Sequence, residues 1–368
     1  MTKVLKINKG VEEGVEEVLK FLLENERVKG VFTLRKTGRN GAVTYALVKD
    51  PSEIDNCVPL YPLMPINAAK SLSTLTLRES LSESIALFVR PCELRAFVEL
   101  VKLQQGSLEN MLILSSTCGG VYPLKMAVTN NTDRNLEKYW TTLRAMEIPS
   151  DIRPTCKGCE HFLPYNSDMT LISIGKDIDK SCHVVLNTKK AEESLRGIEE
   201  EISDGELVAE DMESLRKRRI SEREKLFSDL KTEDFGLDGL IDLHGKCIGC
   251  HGCSSVCPIC YCRLCFFDSE VNDPGFSSYE GEMRKRGGIR VPPKTIFYHL
   301  GRLSHVGISC VGCGSCSDVC PVDIPLSTIF LKIGNAIQGT YGYLPGKDLD
   351  EKIPLQTFEE EELAKFEQ

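Results

Sequence analysis

The sequence predicts an α+β chain in successive parts: an N-terminal α/β domain over residues 1–188, a charged helical hairpin over 189–235, a cysteine-rich module over 236–345 and a tail over 346–368. Three observations carry this reading. Short apolar runs alternate with helix-period segments through the first half of the chain. A long charged stretch with few apolar positions follows. After it, one cysteine pattern occurs twice, starting at Cys247 and again at Cys310.

The elements follow in order. Val11, Val15, Val18, Leu19, Leu22 and Leu23 share one face of a helix over residues 11–25, with Glu12, Glu16 and Glu17 on the other. Val28 to Leu34 and Ala42 to Val48 alternate as strands, and Asn40-Gly41 between them is a hairpin signal. A short helix is expected over residues 66–74. Ile85 to Val89 reads as a buried strand running into Arg90-Pro91-Cys92-Glu93, with a helix from Leu94 to Leu103. Met111 to Leu114 is a further strand, leading to Cys118-Gly119-Gly120. Cysteines thus fall at strand ends, where open α/β sheets place their sites. In the hairpin, Leu195, Ile198 and Ile202 follow helical spacing until Ser203-Asp204-Gly205 breaks it. A second helix is expected from Leu207 to Leu230, its charges forming a solvated face.

Composition narrows the function classes. The chain has 368 residues, enough for two or three domains. The N-terminus, Met1-Thr2-Lys3-Val4-Leu5-Lys6, lacks the apolar core of a signal peptide, and no apolar run is long enough to span a bilayer. A cytoplasmic, reducing setting is the expectation. A net charge of −9 argues against nucleic acid as a partner.

The chain has 17 cysteines, and eight of them lie in the repeated pattern. Cys247-Ile-Gly-Cys250-His-Gly-Cys253-Ser-Ser-Val-Cys257-Pro258 is echoed by Cys310-Val-Gly-Cys313-Gly-Ser-Cys316-Ser-Asp-Val-Cys320-Pro321. Each copy is the C-x2-C-x2-C-x3-C-P run of bacterial two-cluster ferredoxins, in which the fourth cysteine serves the other cluster. One [4Fe-4S] cluster is therefore expected on Cys247, Cys250, Cys253 and Cys320, and the other on Cys310, Cys313, Cys316 and Cys257. Glycines at 249, 252, 312 and 314 let backbone N–H groups approach the sulfurs. Structural zinc needs only four ligands from two facing C-x2-C pairs, so a third cysteine plus Cys-Pro in each copy exceeds it. A disulfide framework belongs to secreted chains.

Cys156-Lys157-Gly158-Cys159 lies in a proline-bounded loop and joins Cys92 and Cys118 as a set of four. The set can hold a third [4Fe-4S] cluster; singly, Cys92 or Cys118 reads as a small buried apolar residue. Cys57 and Cys182 read as structural. Cys260, Cys262 and Cys265 can cap a cluster, bind a further metal or pack in the core. His251 is expected to tune a cluster by hydrogen bonding, and His299 and His305 to make packing and surface contacts.

Taken together, Arg90-Pro91-Cys92-Glu93, Cys118-Gly119-Gly120, Cys156 to Glu160, Asp168, Cys257 to Cys265, Gly301 to His305, Asp323 to Leu326 and Thr340 to Gly346 resemble the beta subunits of coenzyme F420-dependent hydrogenase and formate dehydrogenase, the formate dehydrogenase type most of all. The resemblance implies an FAD-binding oxidoreductase subunit that passes electrons between the deazaflavin coenzyme F420 and iron–sulfur clusters. It also implies Cys92, Cys118, Cys156 and Cys159 as ligands of the cluster nearest the flavin. The chain departs from the family at the Glu-Cys-Gly-Gly turn before the first helix, which here is Gly10-Val11-Glu12-Glu13-Gly14. Two glutamates there would repel the diphosphate of FAD. Pro62 to Asn67 departs from the family's next cofactor-side stretch. Two functions follow: a beta subunit carrying FAD and three clusters, or a flavin-free relay. The relay would link the catalytic subunit of a formate dehydrogenase or hydrogenase to heterodisulfide-reductase-like subunits. No catalytic acid, base or nucleophile stands out, in keeping with chemistry that belongs to cofactors.

Overall fold

A computed structural model describes residues 3–38, 42–128, 132–204, 209–230, 237–269, 275–288 and 294–356. Its strands are β1 (Lys3–Ile7), β2 (Val31–Lys36), β3 (Val43–Val48), β4 (Ile85–Phe88), β5 (Met111–Ser116), β6 (Met169–Leu171), β7 (Cys182–Leu186) and β8 (Glu201–Asp204). They form one sheet in the order β3-β2-β4-β5-β6-β7-β1-β8. β2, β4, β5 and β6 are parallel neighbours; β3, β7, β1 and β8 pair antiparallel to theirs. The helices are α1 (Val11–Glu24), α2 (Ala68–Thr76), α3 (Pro91–Lys102), α4 (Leu124–Val128), α5 (Thr132–Arg144), α6 (Pro154–Lys157), α7 (Lys189–Ser194) and α8 (Ala209–Ser228). After them come α9 (Leu237–His244), α10 (Gly252–Ser255), α11 (Phe276–Arg286), α12 (Thr295–Val306), α13 (Ser315–Asp318) and α14 (Leu326–Tyr341).

The central strands are apolar on both faces because both faces are covered. Ile85, Leu87, Met111 and Ile113 join α2 and α3 in one core, whereas Ala86, Phe88, Leu112 and Leu114 join α1 in the other. The period-two alternation of β4 and β5 thus sorts side chains between two layers. α1 buries Val11, Val15, Val18, Leu19, Leu22 and Leu23, the face expected from the spacing. β2 and β3 pair from Val31↔Val48 to Lys36↔Val43, while the Asn40-Gly41 turn lies outside the described residues.

Two boundaries differ from the sequence reading. α3 starts at Pro91 instead of Leu94. Proline suits a first helical turn, where its missing N–H has no partner to lose. Glu93 accepts the Arg90 N–H at 2.9 Å and closes the turn, so Cys92 sits at the helix start. Among the described residues of 189–235, the first helix of the expected hairpin is short, ending at Ser194 as α7. Ile202 lies instead in β8, which pairs with the free side of β1. Backbone pairing of that otherwise open edge outweighs a three-residue helical pattern, and a short charged strand suits an edge. The second helix survives as α8.

Among the described residues, 237–356 hold helices and loops and no strand. Their core is small: Ile259, Tyr298, Val306, Ile324, Leu326, Ile329 and Phe330, ringed by the motif cysteines. This module docks on the α3 side of the sheet. Val311 joins the α2–α3 core. Glu99 of α3 accepts from Tyr343 Oη at 2.5 Å and from the Gly346 N–H at 2.8 Å. No described helix is long and apolar enough to cross a membrane.

Candidate metal centres

The thiols fall into groups at the C-terminal ends of the central strands and in the module. β4 and β5 run in parallel, and the chain leaving them carries Cys92 and Cys118. α6 and the residue that follows its last turn add Cys156 and Cys159. Burial, and then neighbours that include Cys118 and Cys156, push the Cys92 thiol well above its ordinary value. Burial likewise pushes Cys156 up to about 12, opposed by Arg153 and reinforced by Cys118. Cys159 is raised by burial against the opposing charge of Arg219, with Cys118 adding to the rise. Cys118 is therefore the shared neighbour of the set. The Gly120 N–H points at its Sγ from 3.4 Å.

Arginines hold this group. Arg90 donates to the carbonyls of Tyr61 and Leu63 at 2.5 and 2.8 Å and is paired with Glu93. Arg219 of α8 is buried; it donates to the Cys118 carbonyl at 3.0 Å and the Cys159 carbonyl at 3.4 Å. α8 is thus more than the solvated face its charges suggested: Arg223 and Arg216 pair with Glu160, beside Cys159. Asp168 has a structural place, accepting the Ile113 N–H at 2.8 Å and the Thr188 hydroxyl at 2.7 Å.

The sequence repeat becomes a conformational repeat. Gly249 and Gly312 both take positive φ, 68° and 69°, a region open to glycine at little cost. Each loop then enters a one-turn helix, α10 or α13, from a left-handed residue, His251 or Gly314. The two short helices pack on each other. Across that contact the fourth cysteines change sides. Cys257, Cys310, Cys313 and Cys316 line one cavity. Cys247, raised by burial and relieved by the Gly249 N–H, has Cys253, Cys250 and Cys320 as its thiol neighbours. Backbone N–H groups of Gly249 and Ile324 donate to Cys247 and Cys320 at 3.4 and 3.3 Å.

α12 carries contacts that spacing did not announce. His299 Nε2 faces Cys247 Sγ at 3.4 Å while its ring stacks on His244. Burial, with the charges of His244, Arg302 and His251, pushes His299 down to about 3. It is therefore more than a packing residue, whereas His305 is exposed as expected. His251, expected to tune a cluster, is bonded to Asp268 at 2.6 Å and stacked on Tyr298. Cys260 shares a hydrogen bond with Cys257, which against burial and together with Arg302 holds it at about 6. Cys262 is exposed. Cys182 is buried against Gly14, and Cys57 packs at the edge of the same core, both as structural residues.

The two thiol regions meet. Arg153, just before α6, is buried and pairs with Asp318 of α13 at 2.5 Å. It also donates to the carbonyls of Cys313 and Met64 at 3.0 Å each. Cys313 is a neighbour of Cys92.

The chemistry of an iron–sulfur cubane fits the cavity lined by Cys257, Cys310, Cys313 and Cys316, and peptide N–H groups aim at the sulfurs of Cys118, Cys247 and Cys320 in the other two groups. Among the described residues, no three His, Cys, Asp or Glu side chains converge on a single-ion site. FAD does not fit at residues 10–14. α1 starts at Val11, and a Cβ on Gly14 would lie 2.3 Å from the Cys182 Cβ, so this glycine serves packing. The adjoining hollow is lined by Glu12, Glu13, Glu137 and Asp179, with Arg144 as its cation. Arg144 is already paired with Glu137 and Asp179.

No family model matches the chain. It is 25% identical over 371 residues to the F420-dependent formate dehydrogenase subunit beta of Methanocaldococcus jannaschii, covering 91% of each chain. It is 28% identical over 383 residues to the F420-dependent formate dehydrogenase 1 subunit beta of Methanococcus maripaludis, covering 92% of each. A chain of the F420-reducing [NiFe] hydrogenase complex from Methanosarcina barkeri aligns with a TM-score of 0.44 at 14% identity, over 65% of this chain and 94% of that one. By sequence, over nine-tenths of its length, the chain is a homologue of the F420-dependent formate dehydrogenase beta subunits.

Proposed function

We propose that this chain is an electron-transfer subunit of an oxidoreductase complex, relaying single electrons through three [4Fe-4S] sites. The sites are Cys92, Cys118, Cys156 and Cys159; Cys257, Cys310, Cys313 and Cys316; and Cys247, Cys250, Cys253 and Cys320. The observation that carries this is the exchange of fourth cysteines, with Cys257 lining the cavity of the second motif and Cys320 beside Cys247. A cubane accepts and releases one electron at a time. The protein's part is to fix the sequence of sites and exclude water between them. Cys92 lies beside Cys313, and Cys316 beside Cys253, so the sites follow one another from the sheet end to the module. Cys250 is exposed, which puts the last site within reach of a partner. The partners of this reading are a formate dehydrogenase or hydrogenase catalytic subunit and heterodisulfide-reductase-like subunits.

The relatives are named as F420-dependent, which favours a second reading, in which the FAD implied by the family resemblance exchanges hydride with coenzyme F420 and feeds the same sites. Iron and acid-released flavin, assayed on anaerobically purified protein, separate the two. About 12 iron atoms per chain without flavin is the expected result for three cubanes. About eight removes the sheet-end site. One FAD per chain overturns the flavin-free relay. Cys320→Ala should remove the EPR signal of the site holding Cys247 and spare that of its sequence neighbours Cys310, Cys313 and Cys316.

A further inference from the structure

Arg302 is 4% exposed. Its Nη1 donates to Cys253 Sγ at 3.1 Å and its Nη2 to the Cys253 carbonyl at 3.3 Å. Its Nε donates to Cys260 Sγ at 3.5 Å. The same side chain lines the cavity of Cys257, Cys310, Cys313 and Cys316. One guanidinium therefore touches a thiol of the first motif site and borders the second. Tyr298 and Phe330 stack on it, with ring centroids 5.6 and 5.0 Å away.

A buried cation needs a buried anion. The other buried arginines differ: Arg90 has Glu93 and Arg153 has Asp318, whereas Arg95 and Arg219 donate to backbone carbonyls, and none of these four is recorded donating to a thiol as Arg302 does. Among the described residues, no carboxylate lies within 4 Å of Arg302. Its partners are sulfur and one carbonyl. The groups nearest its charge are the cysteine sulfurs on either side, which would carry negative charge as metal-bound thiolates.

We propose that Arg302 is a shared electrostatic bridge that sets the reduction potentials of both module sites at once. The inference rests on the reading of those cysteines as cluster ligands. Reduction adds one electron, and so one negative charge, to a site beside a fixed cation in a water-poor interior, where charge interactions are strong. The reduced form gains more than the oxidised form, and both potentials rise. Cys260 finds its place here as a thiol bonded by Arg302, three residues past Cys257, in keeping with a role other than ligand. A charge shared by two sites moves both potentials in the same direction.

The test is a potentiometric titration followed by EPR, with mediators supplying the electrons, on wild type, Arg302→Lys, Arg302→Gln and Arg302→Met. Wild type must first show the module signals; their absence overturns the cluster reading, and the bridge with it, whereas their presence without the shifts below overturns the bridge alone. Arg302→Met and Arg302→Gln should shift both module midpoints to more negative values and leave the Cys92 site where it was. Arg302→Lys, which keeps the charge, should stay nearer wild type than Arg302→Gln. A shift at one module site alone, no shift at full iron content, or Lys and Gln variants displaced equally would each overturn the proposal. Arg302→Gln keeps the test open should Arg302→Met fail to load iron.

Discussion

The sheet-end thiols and the module thiols are held in opposite ways. At the sheet end, four cysteines come from three distant places on a framework with a large apolar core of other residues. Leu87, Ile113, Phe97 and their neighbours fill that core. In the module the thiols belong to the core, which has few fully buried apolar residues of its own. The arginines differ too. Arg219 reaches the sheet-end set through backbone carbonyls of Cys118 and Cys159, whereas Arg302 reaches sulfur directly. The comparison teaches that one region sets its thiols on an apolar core built from other residues, while in the other the thiols make up much of the core itself.

That contrast gives its largest effect on removal of iron. Chelation under reducing conditions should abolish amide protection over residues 237–345 and leave β4 and β5 protected. Uniform loss, read by hydrogen exchange with mass spectrometry, would erase the distinction. A large local effect is expected from Gly120→Ala. Gly120 has φ 100°, and a Cβ there would lie 2.5 Å from Ile152 Cδ1 and 3.1 Å from Cys156 Cβ. Strain and overlap of this kind cost about 2–4 kcal/mol. Iron should fall by about four atoms per chain, a single cubane, with the module signals intact.

The joint between the regions is next. Asp318→Asn leaves Arg153 buried without its carboxylate, at a cost of about 3 kcal/mol in denaturant stability. Adding Arg153→Met should recover part of that loss, because the pair is then removed together. A purely additive double variant would mean that the pair is not what couples the regions. The smallest effect belongs to Asp268→Asn. Its partnership with His251 is half-exposed, so the change should cost less than about 1 kcal/mol and leave the EPR spectrum unaltered.

Much of this was open to reading before any fold was known. The face of α1, the apolar runs of β4 and β5 and the duplicated cysteine motif are local patterns, and local patterns follow from residue order. The failures were equally physical. Ile202 kept helical spacing but was claimed by the unpaired edge of β1, an interaction between residues almost two hundred apart. α8 looked like a solvated helix because nothing in its own sequence reports that Arg219 will be enclosed beside Cys118. His251 sits inside the motif and was the natural tuning residue, yet Asp268 engages it, and His299 on α12 takes the place at sulfur.

Residue order alone specified the kind of ligand, the loop geometry and the duplication, because three of the four thiols of each module site lie within seven residues and the intervening glycine permits the turn. The fold decided which distant thiol completes each group, how Cys92 and Cys118 come to lie by Cys156 and Cys159, and where the charge of Arg302 is buried. Those outcomes depend on packing and on charge enclosed away from water, and neither is encoded within any single stretch of the chain.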